Sequence, residues 1–212
     1  MKSLPNWRRT LSVALLLPLA ACSTLVPPTT STTPTPSAST AAERRLAEDI
    51  EVAGRLSLRY QGTQREEAVH GSFTWMQTPS QTRITLLSPL GQTIALIEAS
   101  PQGASLSQAG QPVRRAADVD ALTAQTLGWP LPVSGLREWL QGIALTSSGQ
   151  RFIATPQDSE VTTQDGWRIR YANWQPDTVS PQARPRRIDL VRNTQQAGEV
   201  SIRIAIDTWQ EH

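Results

Sequence analysis

A period-two alternation of apolar and polar residues runs through most of the chain after residue 50, and few architectures satisfy it. Val52, Gly54, Leu56, Leu58 and Tyr60 fall on one face of an extended segment, with Arg55, Ser57 and Arg59 on the other. Val69, Gly71, Phe73 and Trp75 repeat the pattern against His70, Ser72 and Thr74. Ile84 and Leu86, then Ile94 and Leu96, then Leu106 continue it. Trp167, Ile169 and Tyr171 oppose Arg168 and Arg170, Ile188 and Leu190 follow, and Val200, Ile202, Ile204 and Ile206 oppose Ser201, Arg203 and Asp207. Successive side chains of a strand point to opposite faces. One greasy face and one polar face mean an antiparallel sheet wrapped around something apolar. Gln61-Gly62-Thr63 and Asp165-Gly166 read as hairpin turns between such strands.

Two helical segments interrupt the strands. Asp118 is placed to cap a helix running to Leu127, stopped by Gly128 and Pro130. Ser134 is placed to cap a second from Gly135 to Gln141, stopped by Gly142, with Leu136, Trp139 and Leu140 on one face. Helices this short need an apolar surface to lie against. The order of strands, two helices and strands gives a mainly β (α+β) domain: one curved sheet, with helices covering or filling its concave side.

Ahead of this body stands a leader. Lys2, Arg8 and Arg9 precede an apolar run from Leu11 to Ala21 that ends in Leu19-Ala20-Ala21-Cys22. A basic head, a short apolar middle and a small-residue cut site make a secretory signal. The run is about half of the roughly 20 residues that a bilayer-spanning helix needs. Leu-Ala-Ala-Cys is the bacterial lipobox: small residues admit the peptidase, and a free thiol takes the lipid. Cys22 is the only cysteine, so no disulfide within the chain competes for it. Thr24 to Thr40, with Pro27, Pro28, Pro34 and Pro36, buries too little apolar surface to offset its ordering entropy. It reads as a tether of roughly 50 Å when extended at about 3.1 Å per residue. The expected organisation is therefore a signal peptide over 1–21, a lipidated cysteine and tether over 22–41, and a single domain over 42–212.

Removing Lys2, Arg8 and Arg9 with the signal leaves 17 cations against 18 acids in the mature chain. A body so near neutrality argues against nucleic acid as its main partner. The two histidines, His70 and the terminal His212, gather no cluster of metal-binding residues around them in sequence. No Gly-x-Ser-x-Gly elbow, phosphate loop or dinucleotide fingerprint occurs. Glu66 and Glu67 are adjacent on an extended segment, so their carboxylates point apart rather than forming a catalytic pair. The expectation is a protein without catalytic residues, metal or cofactor.

Four stretches of the body resemble the outer-membrane lipoprotein receptor family, LolB, of the bacterial lipoprotein localisation pathway. They are Gly71-Ser72-Phe73-Thr74-Trp75; Leu86-Leu87-Ser88-Pro89-Leu90-Gly91; Leu127-Gly128-Trp129-Pro130-Leu131-Pro132 through Leu136 to Gly142; and Ile204-Ala205-Ile206-Asp207-Thr208-Trp209. Their order, spacing and position behind a lipobox carry the match over roughly Val52 to Trp209. The resemblance implies an incompletely closed antiparallel β-barrel whose short helices form a lid over an apolar cavity. It implies a lipid-anchored, periplasm-facing outer-membrane protein acting as a monomer. Such a protein accepts triacylated lipoproteins from a soluble LolA-like periplasmic carrier and places them in the inner leaflet of the outer membrane. A structural or assembly lipoprotein binding protein partners is the alternative, and a hydrolase with an unrecognised site a third.

Two sets of residues follow. Pro89, Leu90 and Gly91 make a tight turn, and Pro-x-Gly is able to push its middle side chain outward. From the residues alone, a Leu90 folded back onto the core is the favoured reading; the resemblance reverses it and implies a leucine projecting into solvent and needed for delivery to the membrane. Leu58, Phe73, Trp75, Ile84, Leu86, Ile94, Leu136, Trp139 and Ile204 are the expected lining of the lipid cavity. A solidly packed barrel and a hollow one alternate in the same way, so both remain open at this level.

Overall fold

The computed structural model describes residues 44–62, 65–127, 131–176 and 183–212. The leader, Cys22 and the tether lie outside the described residues, as do Thr63, Gly128 and Pro130. Twelve strands and two helices follow one another as β1 (Ile50–Gln61), β2 (Glu66–Gln77), β3 (Thr82–Leu87), β4 (Thr93–Ser100), β5 (Gly103–Gln108), β6 (Arg114–Ala116), α1 (Val119–Leu127), α2 (Val133–Trp139), β7 (Ile143–Leu145), β8 (Arg151–Ile153), β9 (Glu160–Thr162), β10 (Arg168–Gln175), β11 (Arg184–Thr194) and β12 (Gly198–Glu211).

Ten strands form one antiparallel sheet in the order β6-β5-β4-β3-β2-β1-β12-β11-β10-β9. Consecutive strands pair as hairpins, and the single long-range pairing, β1 with β12, joins the two halves of the chain. The outer strands β6 and β9 do not pair with each other, so the sheet curls without closing. The expected unclosed antiparallel architecture with two short helices is what the chain adopts. A bulge at Asp207, opposite Ala53 and Gly54, bends β12 against β1.

The concave face divides in two. On the β9–β12 side the space is filled by aromatic rings. Trp139 meets Trp167 with centroids 6.4 Å apart, and Phe152 of the β7–β8 hairpin stacks on Tyr171 at 6.5 Å. On the β1–β5 side the helices span over a mostly aliphatic surface that also carries Phe73 and Trp75, and the space is not filled.

The helices depart from expectation in one respect. Asp118 caps α1 as read, its Oδ1 accepting from the Ala121 N–H at 2.7 Å. α2, however, begins at Val133, with Pro132 at its N-cap and no side-chain cap there. Ser134 lies inside the helix, and its N–H and hydroxyl both donate to Asp120 of α1. The cap function thus comes from a carboxylate distant in sequence, which a local signal does not disclose. Gly142 takes φ +73° and ends the segment after Leu140, as its position implied.

Candidate functional site

Between the two helices and β1–β5 lies an apolar cavity of about 270 Å³. Eight of the nine expected lining residues face it: Leu58, Phe73, Trp75, Ile84, Leu86, Ile94, Leu136 and Ile204. Trp139 does not line it. It is buried, but it points to Trp167 in the filled half, while Leu136 and Leu140, one turn apart, carry the helix face over the cavity. Leu56, Val69, Ala95, Ile97, Leu106 and Ile202 from the sheet, with Leu122 and Leu127 from α1, complete the wall. Of these, Leu56, Val69, Leu106 and Ile202 already stood on the apolar face of the period-two pattern, whereas Ile97 lies off it.

One strand corrects the alternation. Ile94 and Leu96 do not share a face. Leu86 pairs with Ala95 but Leu87 pairs with Thr93, so Ile94 is an extra residue in a bulge. Ile94 and Ala95 therefore both line the cavity, and Leu96 pairs with Thr85 on the outer face.

Of the polar side chains in the wall, Thr123 and Thr126 are turned onto the backbone, and half-buried Gln108 of β5 is the third. Thr123 Oγ1 accepts from the Leu131 N–H at 3.0 Å and donates to the Asp120 carbonyl at 2.9 Å; the Thr126 hydroxyl donates to the Leu122 carbonyl at 2.9 Å. At the floor, Trp75 Nε1 donates to Gln77 Oε1 at 3.2 Å. Groups satisfied in this way give an apolar occupant no unpaired polar atom to desolvate.

α2 is fastened at its C-terminal end. Arg137 donates to the Thr78 carbonyl at 2.6 Å and to Thr82 Oγ1 at 3.1 Å, tying the helix to the β2–β3 turn. Beyond it, the Gln141 amide exchanges hydrogen bonds with the Ala47 backbone, at 2.8 and 2.9 Å. Buried Arg44 donates to the carbonyls of Gln141, Gly142, Ala154 and Ala183. The clasp joins the segment entering the body to the end of α2, the β7–β8 hairpin and the approach to β11.

The β3–β4 turn is the other notable element. The Gly91 N–H donates to the Ser88 carbonyl at 2.8 Å, and Ser88 Oγ accepts from the N–H groups of Leu90 and Gln92 at 3.3 and 3.2 Å. Pro89 presets the turn and Gly91 takes φ +80°, which suits glycine alone. The turn is held from within, and Leu90 at its tip is 88% exposed. Of the two readings open in the sequence, the outward leucine is the one adopted.

Two groups have shifted ionisation. The Arg55 guanidinium is raised by its hydrogen bond to Asp207 and by that carboxylate's charge. Burial pushes the Tyr171 hydroxyl well above the ordinary tyrosine range, opposed by the Arg44 charge and assisted by Glu138. His70 is exposed on the outer face of β2. Glu67 is bridged by Arg65 at 3.2 Å.

Residues 48–209 match the family model described as outer membrane lipoprotein LolB. This chain belongs to the LolB family. An outer-membrane lipoprotein LolB of Cupriavidus taiwanensis is 43% identical over 159 residues, covering 73% of this chain and 77% of the relative. One from Thiobacillus denitrificans is 37% identical over 194 residues, covering 91% of each. A solved LolA superfamily protein from Nitrosomonas europaea superposes with a TM-score of 0.44 at 12% identity, covering 80% of this chain and 88% of that one. The LolB match places the chain at the outer membrane as a lipid-anchored protein with a role in lipoprotein localisation.

Proposed function

We propose that this chain is the outer-membrane acceptor that takes triacylated lipoproteins from a LolA-like periplasmic carrier and inserts them into the inner leaflet of the outer membrane. The observation that carries the reading is the apolar cavity under the two helices, whose two threonine hydroxyls are bonded to the backbone. Burying hydrocarbon is worth about 0.8 kcal/mol per CH₂, and three long acyl chains hold on the order of 40 such groups. Exposure to water costs tens of kcal/mol, so the chains must pass from one shielded space to another.

A cavity of about 150 Å³ holds one benzene ring. At about 270 Å³ this one takes roughly ten carbons as it stands. Three whole chains enter only as the lid helices lift from the sheet. In this reading Leu58, Phe73, Trp75, Ile84, Leu86, Ile94, Leu136 and Ile204 hold acyl chains. Trp139 braces the lid from the filled side. Leu90, presented by Pro89 and Gly91, dips into the bilayer at delivery. Residues 1–21 are the signal, Cys22 carries this protein's own lipid, and the 22–41 tether lets the body of 42–212 lean onto the membrane.

The test is transfer of a palmitate-labelled lipoprotein from its purified carrier to this chain and on to liposomes. Label should appear first on the chain and then in the bilayer. If it reaches the bilayer equally fast without the chain, or never associates with it, the acceptor reading fails.

A further inference from the structure

We propose that the cavity discharges acyl chains over one lip, formed by Val69 of β2 and Ile94 of β4, onto the patch of bilayer that Leu90 enters. The inference rests on the acceptor reading above and adds the exit route to it.

The first argument is topological. β2 pairs with β1 along its whole length, Glu66 to Gln77, but with β3 only from Ser72 to Gln77. Beyond Ser72 the β3 neighbour ends, and the chain turns back through the Leu90 loop into β4. The sheet therefore has a notch beside Glu66–Gly71, bordered by that loop. Gly71 sits at its corner: a Cβ there would lie 2.3 Å from the Leu87 carbonyl oxygen and 4.0 Å from Ile94 Cδ1. Ile94 thus lies against β2 at Gly71, and Val69 is the next inward-facing residue along that strand.

The second argument is exposure. The large apolar side chains left exposed among the described residues are Val69, Met76, Leu90, Ile94, Val113 and Leu145. Val69 and Ile94, at 41% and 42%, are the two that also line the cavity. Both are at the notch, and Ile94 is four residues from Leu90 on the same hairpin. An exposed apolar surface continuous with a binding cavity marks a contact site.

The third is the bulge between the Leu86 and Leu87 pairs. Regular alternation would turn Ile94 to the outer face; the inserted residue re-aims it inward beside Ala95. The bulge thus puts a second apolar side chain on the rim beside Val69. A chain sliding over this lip stays against hydrocarbon from cavity to membrane.

The test uses the full lipidated chain in liposomes and a palmitate-labelled lipoprotein on its carrier. Acceptance is read as label co-purifying with the chain, and delivery as label retained in the bilayer. Counted only on label already co-purifying with the chain, the double variant Val69→Ser with Ile94→Ser should release its bound cargo to the bilayer about tenfold more slowly than the parent, since both side chains lose their apolar contact with the passing chain. The control Met76→Ser, Val113→Ser and Leu145→Ser, which removes apolar surface away from the cavity, should deliver normally. A photo-crosslinking amino acid in place of Val69, in an otherwise parental chain, should capture the labelled acyl chain during delivery, and one in place of Leu145 should not. The proposal is overturned if the lip variant releases its bound label at the parental rate, or if crosslinks form equally at both positions. Failure of the parent itself to accept label would instead remove the acceptor reading.

Discussion

Whether the cavity is open in solution is decided by the sign of one substitution, Ala95→Leu. Ala95 is buried on β4, paired with Leu86 and Gln108, and its side chain faces the cavity. Leucine adds three carbons. If they enter vacant apolar space, each is worth about 0.8 kcal/mol, so the variant gains up to about 2.4 kcal/mol. For a body of this size that raises Tm by about 5–10 °C. The same space is denied to a ligand, so a fluorescent fatty-acid probe should bind the body from Ala42 about 50-fold more weakly. If the interior were already filled, the added carbons would overpack it and cost about 1–3 kcal/mol. Thermal unfolding and probe titration on the same two proteins read both numbers. A variant with lowered Tm and unchanged probe affinity would refute the hollow interior, and the delivery mechanism with it.

Leu90→Glu should leave Tm within about 1–2 °C, because the side chain is exposed and the turn is held by Ser88 and Gly91. Liposome delivery should fall at least about 30-fold, the side chain's insertion being worth about 2 kcal/mol before the carboxylate is counted; cargo acceptance stays normal, as a carrier-transfer assay would register. Tyr171→Phe removes a buried hydroxyl that has no hydrogen-bond partner and should stabilise the fold by about 1 kcal/mol in urea melts at pH 8. Because burial raises the folded-state value, the parent holds its full tyrosine contribution below about pH 10 and loses stability as pH rises past it; melts at pH 11 should show that loss in the parent alone. Arg44→Met strips a charged donor from four carbonyls and should destabilise by about 3 kcal/mol, seen as a lower urea midpoint at unchanged slope.

The strands were legible because alternation is a local property: Val69-Gly71-Phe73-Trp75 and Val200-Ile202-Ile204-Ile206 face inward as the sequence implied. What failed was set by distant partners. Leu96 departs from the pattern because a bulge against β3 inserts Ile94 ahead of Ala95, and no residue type announces that. Ser134 reads as a cap, yet Asp120 from the neighbouring helix takes that place. Trp139 follows the helical period onto the same stripe as Leu136, but the filled half offers its ring Trp167 to meet. The division of the concave face was not legible at all, since inward residues alternate identically whether or not anything stands opposite them. It shows only once Trp139, Phe152, Trp167 and Tyr171 are seen gathered to one side.

That division explains how the fold tolerates a void. An unfilled apolar cavity costs on the order of 24 cal/mol per Å³, so about 270 Å³ represents roughly 6 kcal/mol that a packed core would recover. Net stabilities of domains are only about 5–15 kcal/mol. A chain carrying such a void must draw its stability from elsewhere: the aromatic half and the Arg44 clasp lie away from it, and the long β1–β12 ladder is backbone pairing that the void leaves intact. The missing packing energy is also what any hydrocarbon entering the cavity recovers. In the proposed acceptor role, affinity for acyl chains then requires no polar recognition, because it comes from the unfilled space itself. Delivery in that role is correspondingly driven by the bilayer, which offers the same chains a larger apolar volume without the lid.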